Sequence, residues 1–440
     1  MQKFRVPINS FQFGEVSEST KSRIDSPIYA ASAQRLENLV VRAEGGASKR
    51  AGLKNIYDFG ITKSSSKRMQ HRLLPFIFSD DERYIISVEN AKVRAFRIVS
   101  ETSVVLVSTL TADTASAALP FDDDYLHEYT YAQSGDVMFI CHPLFMPRML
   151  TRTGLTSFEI TPYSFDNRSD DKETYQPYST FHPTDMTLDP SAVSGTGITL
   201  TTSAAYWDIT GDAAGGVYPN STHVGVKVRY GYEEILITSV VSATVANGNV
   251  VDTLIQKLTV LNPFRTISGS TTVEVTMLDH GFEGSESITF SDASAVGNIA
   301  TSNLNGARTV TGIIDDNTFT FTAGGSANAD ADGGGFVKIS SHAPSRNWDE
   351  QSFSAKRGYP AAVTLHENRL VFAGTTTEPD TLWFSKSSQF FNFDVGDGED
   401  NSSINLIAAT GDVNEIRYLV SDRDLQVFTA SAELYVPTFL

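Results

Sequence analysis

Four stretches of this chain repeat one pattern, and the spacing between them limits the folds that the chain can adopt. Each stretch has an apolar strand, a tight polar turn and a second, strongly apolar strand. The turns are centred on Asp81, Gly135, Glu367 and Asp422, so the first two lie 54 residues apart and the last two 55. A period of about 40 to 50 residues with several short strands per unit is typical of β-propeller blades, which pack face to face.

The rest of the sequence after residue 70 favours the same fold class. Short runs rich in Val, Ile, Phe, Tyr and Thr are bounded by Asp, Ser, Asn and Gly, with hardly any helical periodicity. We therefore expect an all-β, mainly antiparallel protein with a β-propeller-type domain. Because propellers close into a ring of roughly four to eight blades, four units with the last cut short predict a propeller that is incomplete in this chain.

The long interval between the second and third units predicts an insertion. Its strands alternate apolar and polar residues with period two, which indicates two small β-barrel or β-sandwich modules. A polar linker is expected over residues 171–195, and a hairpin turn at Asn247-Gly248-Asn249. The predicted domains are an N-terminal docking segment (1–70), propeller blades (71–170), a first inserted module (171–264), a second one (265–345) and further blades (346–440).

The N-terminal segment has its own signals. Ser26-Pro27 places a capping residue before a proline at the first helical position, which predicts a short helix. Two short strands flank Glu44-Gly45-Gly46, where glycine supplies positive φ, so we expect a hairpin. Four basic residues of this segment are candidates for a partner interface: Arg35, Arg42, Lys49 and Arg50.

Charge divides the chain into two parts. The net charge is −18, yet residues 1–72 contain 13 Lys/Arg against 6 Asp/Glu, net +7, which leaves 21 against 46, net −25, for the remainder. An acidic body repels phosphate, which argues against tight nucleic-acid binding but suits a surface past which DNA slides. The alternative is that the acidity serves solubility alone. The basic segment fits an acidic protein surface or, in a competing interpretation, phosphate groups of DNA.

Several function classes find little support. The single cysteine, Cys141, excludes an internal disulfide and any multi-cysteine zinc site. No uninterrupted apolar stretch reaches the roughly 18 residues of a membrane helix, and the start lacks the apolar core of a signal peptide, so no membrane insertion is expected. Cys141 and His142 are neighbours on a predicted strand and point to opposite faces, which argues against a nucleophile and base pair.

The acidic runs and the Asp-His pair of this sequence also have structural interpretations. The run Asp394 to Asp400 offers oxygen ligands that could bind calcium, but its spacing does not match an EF-hand, and Asp and Gly dominate turns; Asp122-Asp123-Asp124 is a weaker case. Asp279-His280 lacks a G-x-S-x-G context, so a turn is favoured. No metal, cofactor or catalytic residue is therefore assigned. Carboxylate pairs for glycoside hydrolysis remain an alternative without a motif, and Trp207, Trp348 and Trp383 are expected in cores rather than on sugars.

Five segments resemble one family. They are YAASAQRLENLVVRAEGGASKRAG at residues 29–52, HP at 142–143 with PRMLTR at 147–152, FSAKRGYP at 353–360, and NRLVFAG at 368–374 followed by TLWFSK at 381–386. These segments resemble tail nozzle proteins (tail tubular protein B-like) of short-tailed double-stranded DNA bacteriophages. Residues 266–340, with DHGF at 279–282 and NTFTF at 317–321, look instead like a small β-module inserted in various phage structural proteins.

The resemblance implies a function and partners. It implies a virion tail protein, assembled in the host cytoplasm, that forms a ring, usually a hexamer, below the portal and adaptor. The ring would retain genomic DNA and let it pass during ejection, dock tail fibres, and carry out no catalysis. The basic residues would dock on the adaptor. The alternatives are a tail-associated host-glycan-binding protein or a depolymerase.

Overall fold

The structure is a computed structural model that divides the chain into two compact units, Met1–Lys63 and Ser64–Leu440. The residues that it describes are 10–59, 71–100, 103–111, 119–167, 174–209, 222–231, 233–251, 254, 257–278, 280–282, 284–341, 344–395, 400–408 and 414–437.

The N-terminal unit contains a short helix and a hairpin, as the sequence predicts. A 3-10 turn over Glu18–Thr20 precedes helix α1 (Pro27–Ala30), whose first turn is capped by Ser26 through its hydroxyl. The hairpin pairs β1 (Leu39–Val41) with β2 (Ala47–Lys49) in antiparallel register. The intervening Gly45 has φ +91°, a conformation that favours glycine.

The second unit begins with two four-stranded antiparallel sheets, each a simple meander. Both sheets match the predicted strand–turn–strand units at residues 81 and 135. Blade 1 consists of β3 (Arg72–Ile77), β4 (Arg83–Glu89), β5 (Lys92–Ser100) and β6 (Ser103–Thr111). Blade 2 consists of β7 (Thr130–Ser134), β8 (Val137–His142), β9 (Phe145–Gly154) and β10 (Ser157–Pro162).

Two inserted modules follow blade 2, one nested within the other. The outer module starts with β11 (Tyr178–Ser179), β12 (Leu188–Pro190), β13 (Ile198–Thr202), β14 (Lys227–Tyr230), β15 (Glu233–Ser242) and β16 (Val245–Val250). The nested module then contributes β17 (Lys257–Leu261), β18 (Phe264–Thr266), β19 (Thr272–Thr276), β20 (Ser287–Ser291), helix α2 (Thr301–Leu304), β21 (Gly306–Asp315), β22 (Thr318–Thr322), β23 (Ala331–Gly333) and β24 (Phe336–Ser341).

The chain returns to the outer module before it re-enters the propeller. Strand β25 (Trp348–Gln351) pairs with both β11 and β14, which completes a seven-stranded sheet. The sequence-based division begins the last propeller segment at residue 346 and so places this strand differently. The eight strands of the nested module form one antiparallel sheet around a single apolar core, which includes Phe264, Phe290 and Phe319.

Two further sheets complete the architecture that the structure describes. Blade 3 consists of β26 (Ala362–His366), β27 (Arg369–Ala373), β28 (Thr381–Phe384) and β29 (Ile404–Ile407). Blade 4 has three strands, β30 (Ile416–Ser421), β31 (Leu425–Thr429) and β32 (Glu433–Val436). In blade 3 the turn at Glu367 and Asn368 has positive φ at both residues, as a two-residue hairpin requires.

The four sheets pack in series, which gives the propeller-type arrangement. In β8, Met138 and Ile140 point into the core shared with blade 1, whereas Phe139 and Cys141 point into the core shared with blade 3. Adjacent residues of a strand face opposite sides of the sheet, so one strand serves two cores.

Blade 3 shows the same alternation. Val371 and Ala373 of β27 contact blade 4, whereas Leu370 and Phe372 contact blade 2. The predicted all-β, propeller-type fold class is therefore confirmed, and blades 2 and 3 pack together although the two modules separate them in sequence.

One turn prediction is wrong. Asn247-Gly248-Asn249 lies within β16 and pairs with β13 and β15, while the chain reverses just before Val245. Glycine is required at position 248 because there is no room for a side chain. A Cβ atom there would lie 2.6 Å from Ile235 Cγ2 and 3.1 Å from the carbonyl oxygen of Leu236. The linker predicted over 171–195 also contains two short strands, β11 and β12.

This close packing yields a stability prediction. Gly248→Ala should lower the free energy of unfolding by about 1–3 kcal/mol, because the new methyl group overpacks the outer sheet. The control is Gly154→Ala, where the nearest atom to a new Cβ is Ser157 Cβ at 3.8 Å. Urea unfolding of both variants tests the interpretation, and equal stability of the two would contradict it.

Candidate functional site

The four basic residues selected from the sequence lie in and around the N-terminal hairpin, and all four are exposed. Arg35 forms an ion pair with Glu37, and Arg50 Nε donates a hydrogen bond to Asn38 Oδ1 at 2.7 Å. The side chains of Arg42 and Lys49 make no hydrogen bond or ion pair with any residue that the structure describes. The hairpin thus presents two cations that are available to a partner.

Apolar side chains are exposed in the same unit. The exposed fraction is 76% for Ile24, 54% for Val40 and 87% for Leu53. Among residues 10–59, the buried positions are Ser32 and Gly45, neither of which supplies an apolar side chain. This unit therefore has no hydrophobic core of its own within its described residues. An apolar and basic surface of this kind is typical of a segment that is stabilised by a partner.

A buried ionic network lies where the outer module meets the propeller. Glu350 of β25 is fully buried. Arg357 donates two hydrogen bonds to its carboxylate, from Nε at 2.8 Å and from Nη2 at 2.7 Å. The Tyr206 hydroxyl donates to the same carboxylate and accepts from Arg357 Nη2 at 2.9 Å. His223 Nε2 lies 3.5 Å from Glu350 Oε2. The guanidinium of Arg357 also stacks on Phe181, 4.1 Å from the ring centroid.

These contacts set the charge state of Glu350. Burial alone would raise the pKa of Glu350, but His223 and Arg357 stabilise the carboxylate and lower the pKa to about 2. Burial raises the pKa of the Tyr206 hydroxyl, which therefore keeps its proton and donates it in a hydrogen bond. A carboxylate held in this way is neutralised and enclosed, so it is a structural anchor rather than a free acid or base.

A second carboxylate of the outer module is held in the same manner. Glu234 is buried and accepts hydrogen bonds from Tyr178 at 2.5 Å, Thr174 at 2.8 Å and Lys227 at 2.5 Å. Burial would raise the pKa of Glu234, but Lys227, Tyr178 and Thr174 together outweigh this effect and the pKa is lowered. Thr174 and Tyr178 belong to the segment that leaves blade 2, so this group ties that segment to the outer sheet.

The network continues into blade 3. Ser179 donates a hydrogen bond to Glu378, in the connection between β27 and β28, at 3.0 Å, and its hydroxyl lies 2.8 Å from that of Ser352. Sequence reasoning missed this anchor. The signal was an unusually polar strand, Trp348–Gln351, whose Glu350 lies seven residues before Arg357 of the family-like segment 353–360.

A cleft of about 430 Å³ lies between the outer and nested modules, lined in part by His182 and His280. The His182 ring nitrogens lie 2.8 and 2.7 Å from the carbonyl oxygens of Pro183 and Trp348, and the ring stacks on Trp348 with 4.0 Å between centroids. His280 accepts from the backbone of Phe282 and contacts the carbonyl oxygen of Asp315, both at 2.9 Å. All four ring nitrogens lie within hydrogen-bond distance of backbone groups, so these contacts leave neither ring open to a metal ion or a substrate.

The remaining residues singled out from the sequence have structural roles. Cys141 is buried, and burial raises the pKa of its thiol; His142 lies on the other face of the strand, with its ring stacked on Phe145. The exposed fractions of Trp207, Trp348 and Trp383 are 2%, 3% and 0%, which places them in cores.

The structure describes one of the two acidic clusters only in part. Residues 396–399 of the run Asp394 to Asp400 lie outside the described part of the chain, so the calcium hypothesis is not tested there. Among the residues that are described, no group of three His, Cys, Asp or Glu side chains is arranged to hold a metal ion. None of the described helices has the length and apolar character that a membrane span requires.

Comparison with known proteins adds little. No family model and no curated protein matches the chain. Among solved structures, it is similar to the Phage phi92 endosialidase, with 10% sequence identity and a TM-score of 0.17. That alignment covers 82% of this chain and 52% of the endosialidase, so this chain spans about half the length of that protein. A TM-score this low does not establish a common fold, and no functional argument is drawn from it.

The ionic anchor yields a prediction about stability. Arg357→Ala should lower the free energy of unfolding by about 3–5 kcal/mol, because it leaves the Glu350 carboxylate buried without its cation. The control is Arg265→Ala, which removes an exposed arginine 3.9 Å from Glu274 and should cost less than about 0.5 kcal/mol. Chemical denaturation measures both, and equal effects would contradict the assigned role.

The lowered pKa of Glu350 yields a prediction about pH. Because the folded pKa is about 2 and the ordinary value is 4.5, the stability from ionised Glu350 is present above pH 4.5 and is lost as the pH falls toward 2. Glu350→Gln should be less stable at neutral pH and should lose less stability over that range than the wild type. Parallel acid-denaturation slopes for the two proteins would show that Glu350 does not contribute.

Proposed function

We propose that this chain is a structural subunit of a bacteriophage tail nozzle. Several copies, a hexamer by analogy with the family that it resembles, form a ring below the portal and adaptor. Genomic DNA is retained in this ring and passes through it during ejection, and the outer faces dock tail fibres. The role needs no catalysis.

The observation that carries the proposal is where the family-like segments lie. Residues 142–152 and 368–386 belong to blades 2 and 3, the two sheets that bury both faces, and residues 353–360 form the connection that contains Arg357. The inserted modules lie outside these segments. Apart from residues 29–52 of the N-terminal unit, the resemblance therefore lies in the blades and the connection with Arg357, which is the expected pattern for a shared scaffold that carries variable insertions.

The charge distribution supports a conduit. Residues 73–440 carry a net charge of −25, and a wall with this charge repels the DNA backbone. Repulsion prevents DNA from adhering during passage, whereas a basic wall would bind phosphates and slow ejection. Basic charge is concentrated in the first 72 residues instead.

The N-terminal unit supports an attachment role. It combines exposed apolar side chains with the cations of Arg42 and Lys49, and its described residues bury no apolar core. We assign this surface to the adaptor, whose complementary face would be acidic and partly apolar. Docking would then supply the apolar burial that the unit lacks by itself.

Cryo-electron microscopy of intact particles tests the nozzle role directly. Density that fits the blades and inserted modules should form a symmetric ring around the tail axis below the portal. Density at fibre tips or in peripheral spikes would contradict the conduit role and favour the glycan-binding or depolymerase alternatives.

The docking role is tested by reversing charge at the hairpin. Arg42→Glu combined with Lys49→Glu should reduce incorporation of the chain into particles by about tenfold or more, because like charges would then face the acidic adaptor. Arg265→Glu combined with Lys338→Glu, two exposed positions of the nested module, is the matched control and should assemble normally. Quantitative mass spectrometry of purified particles measures incorporation, and equal incorporation of both variants would contradict the assigned interface.

A further inference from the structure

The cleft between the outer and nested modules contains polar side chains that the conduit role does not use. Its volume of about 430 Å³ lies within the range of small-molecule sites. Three separate parts of the second unit form it: the segment before β12, the turns of the nested module, and the connection that leads back to β25. Residues 279, 283 and 342–343, which adjoin the lining in sequence, lie outside the described part of the chain.

Polar side chains without an intramolecular partner converge on this cleft. Each is exposed, and none makes a hydrogen bond or ion pair with another described residue. They are Thr180, Thr184, Asp316, Arg346 and Asn347. Together they offer hydroxyl groups, an amide, a guanidinium fork and a carboxylate, so both donors and acceptors are available to a ligand.

Two histidine side chains in the walls of the cleft are held by backbone contacts. His182 is fixed by its stack on Trp348 and by two backbone carbonyl groups, and His280 is fixed by its own two backbone contacts. Gly281 has φ +67°, and a Cβ atom there would lie 3.2 Å from Ser345 Oγ and 3.3 Å from the backbone nitrogen of Arg346. The absence of a side chain at Gly281 therefore lets the nested module approach the connection closely at this wall.

The composition of the lining identifies a ligand class. Among the described lining residues, Arg346 supplies the one guanidinium and Asp316 the one carboxylate, and this balance disfavours a strongly anionic or cationic ligand. The apolar lining includes Phe282 and Ile313, a smaller apolar surface than an amphipathic helix would need for its anchors. Sugar rings match this site, because each hydroxyl both donates and accepts hydrogen bonds and the ring carbons supply a small apolar face.

We propose that this cleft binds a neutral segment of a bacterial surface polysaccharide, so that the inserted modules contact the host envelope. Arg346 and Asp316 bind vicinal hydroxyl groups, and Thr180, Thr184 and Asn347 contact the adjacent ring. Binding requires no bond cleavage. The bacterial source of the polysaccharide rests on the proposed tail role, whereas the cleft itself uses no residue of the blades or of the N-terminal hairpin.

The test uses the full chain and a defined set of probes. Wild-type protein is applied to an array of neutral and acidic bacterial surface glycans, and the neutral glycan that binds best is then titrated by calorimetry. Arg346→Ala and Asp316→Ala should each weaken binding by about tenfold or more, since each removes a charged hydrogen-bonding group. Arg265→Ala, an exposed arginine elsewhere on the nested module, is the matched control and should bind as the wild type does.

Unchanged thermal unfolding of both cleft variants, together with lost binding, supports the proposal. The proposal is overturned if the wild type binds no neutral glycan, if it binds acidic glycans alone, or if the cleft variants bind as well as the Arg265→Ala control. These outcomes are separate from those of particle microscopy, because a ring-forming nozzle subunit can lack glycan binding and a glycan-binding chain can lie outside the ring.

Discussion

The packing of blades 2 and 3 on each other is the contact on which the rest of the second unit depends. Their central strands bury both faces, so successive residues such as Met138 and Phe139 enter different cores. A strand of this kind cannot be solvated on either side, and it therefore holds a neighbouring sheet on each face. Blade 1 therefore packs on the outer face of blade 2, and blade 4 packs on the outer face of blade 3.

The same contact explains how the chain accommodates two large modules. A long insertion is tolerated when its two ends lie close together, because the entropic cost of closing the inserted segment grows only slowly with the number of residues in it. Here the departing and returning segments meet, since Tyr178 and Ser179 pair with Gln351 and Glu350. The buried carboxylates Glu234 and Glu350 lie at this junction, each matched to a cation. A hydrogen-bonded ion pair fixes the relative orientation of its two side chains as well as attracting them. Apolar packing alone fixes orientation less strictly.

Sequence reasoning predicted the blades better than the junction, for a physical reason. Strand alternation and turn residues are local signals, so the units around Gly135 and Glu367 were recognisable from spacing alone. Gly248 was misassigned because glycine in an Asn-Gly-Asn run suggests a turn, whereas here its missing Cβ makes room for Ile235. The pairing of Glu350 with Arg357, Tyr206 and His223 joins residues up to 144 positions apart, and no local pattern encodes such a contact.

The N-terminal unit differs from the blades in how it is stabilised. A unit of this size that leaves Ile24 and Leu53 exposed gains little from hydrophobic burial, while fixing its backbone costs roughly 1–2 kcal/mol per residue. Its short hairpin and four-residue helix cannot offset that cost, because isolated elements of this length are marginal in water. Under the proposal that this unit docks on the adaptor, that contact would supply the missing free energy to its described residues. In the proposed nozzle, docking would then couple the folding of this segment to assembly, because the segment gains its stabilising contact only where the adaptor is present.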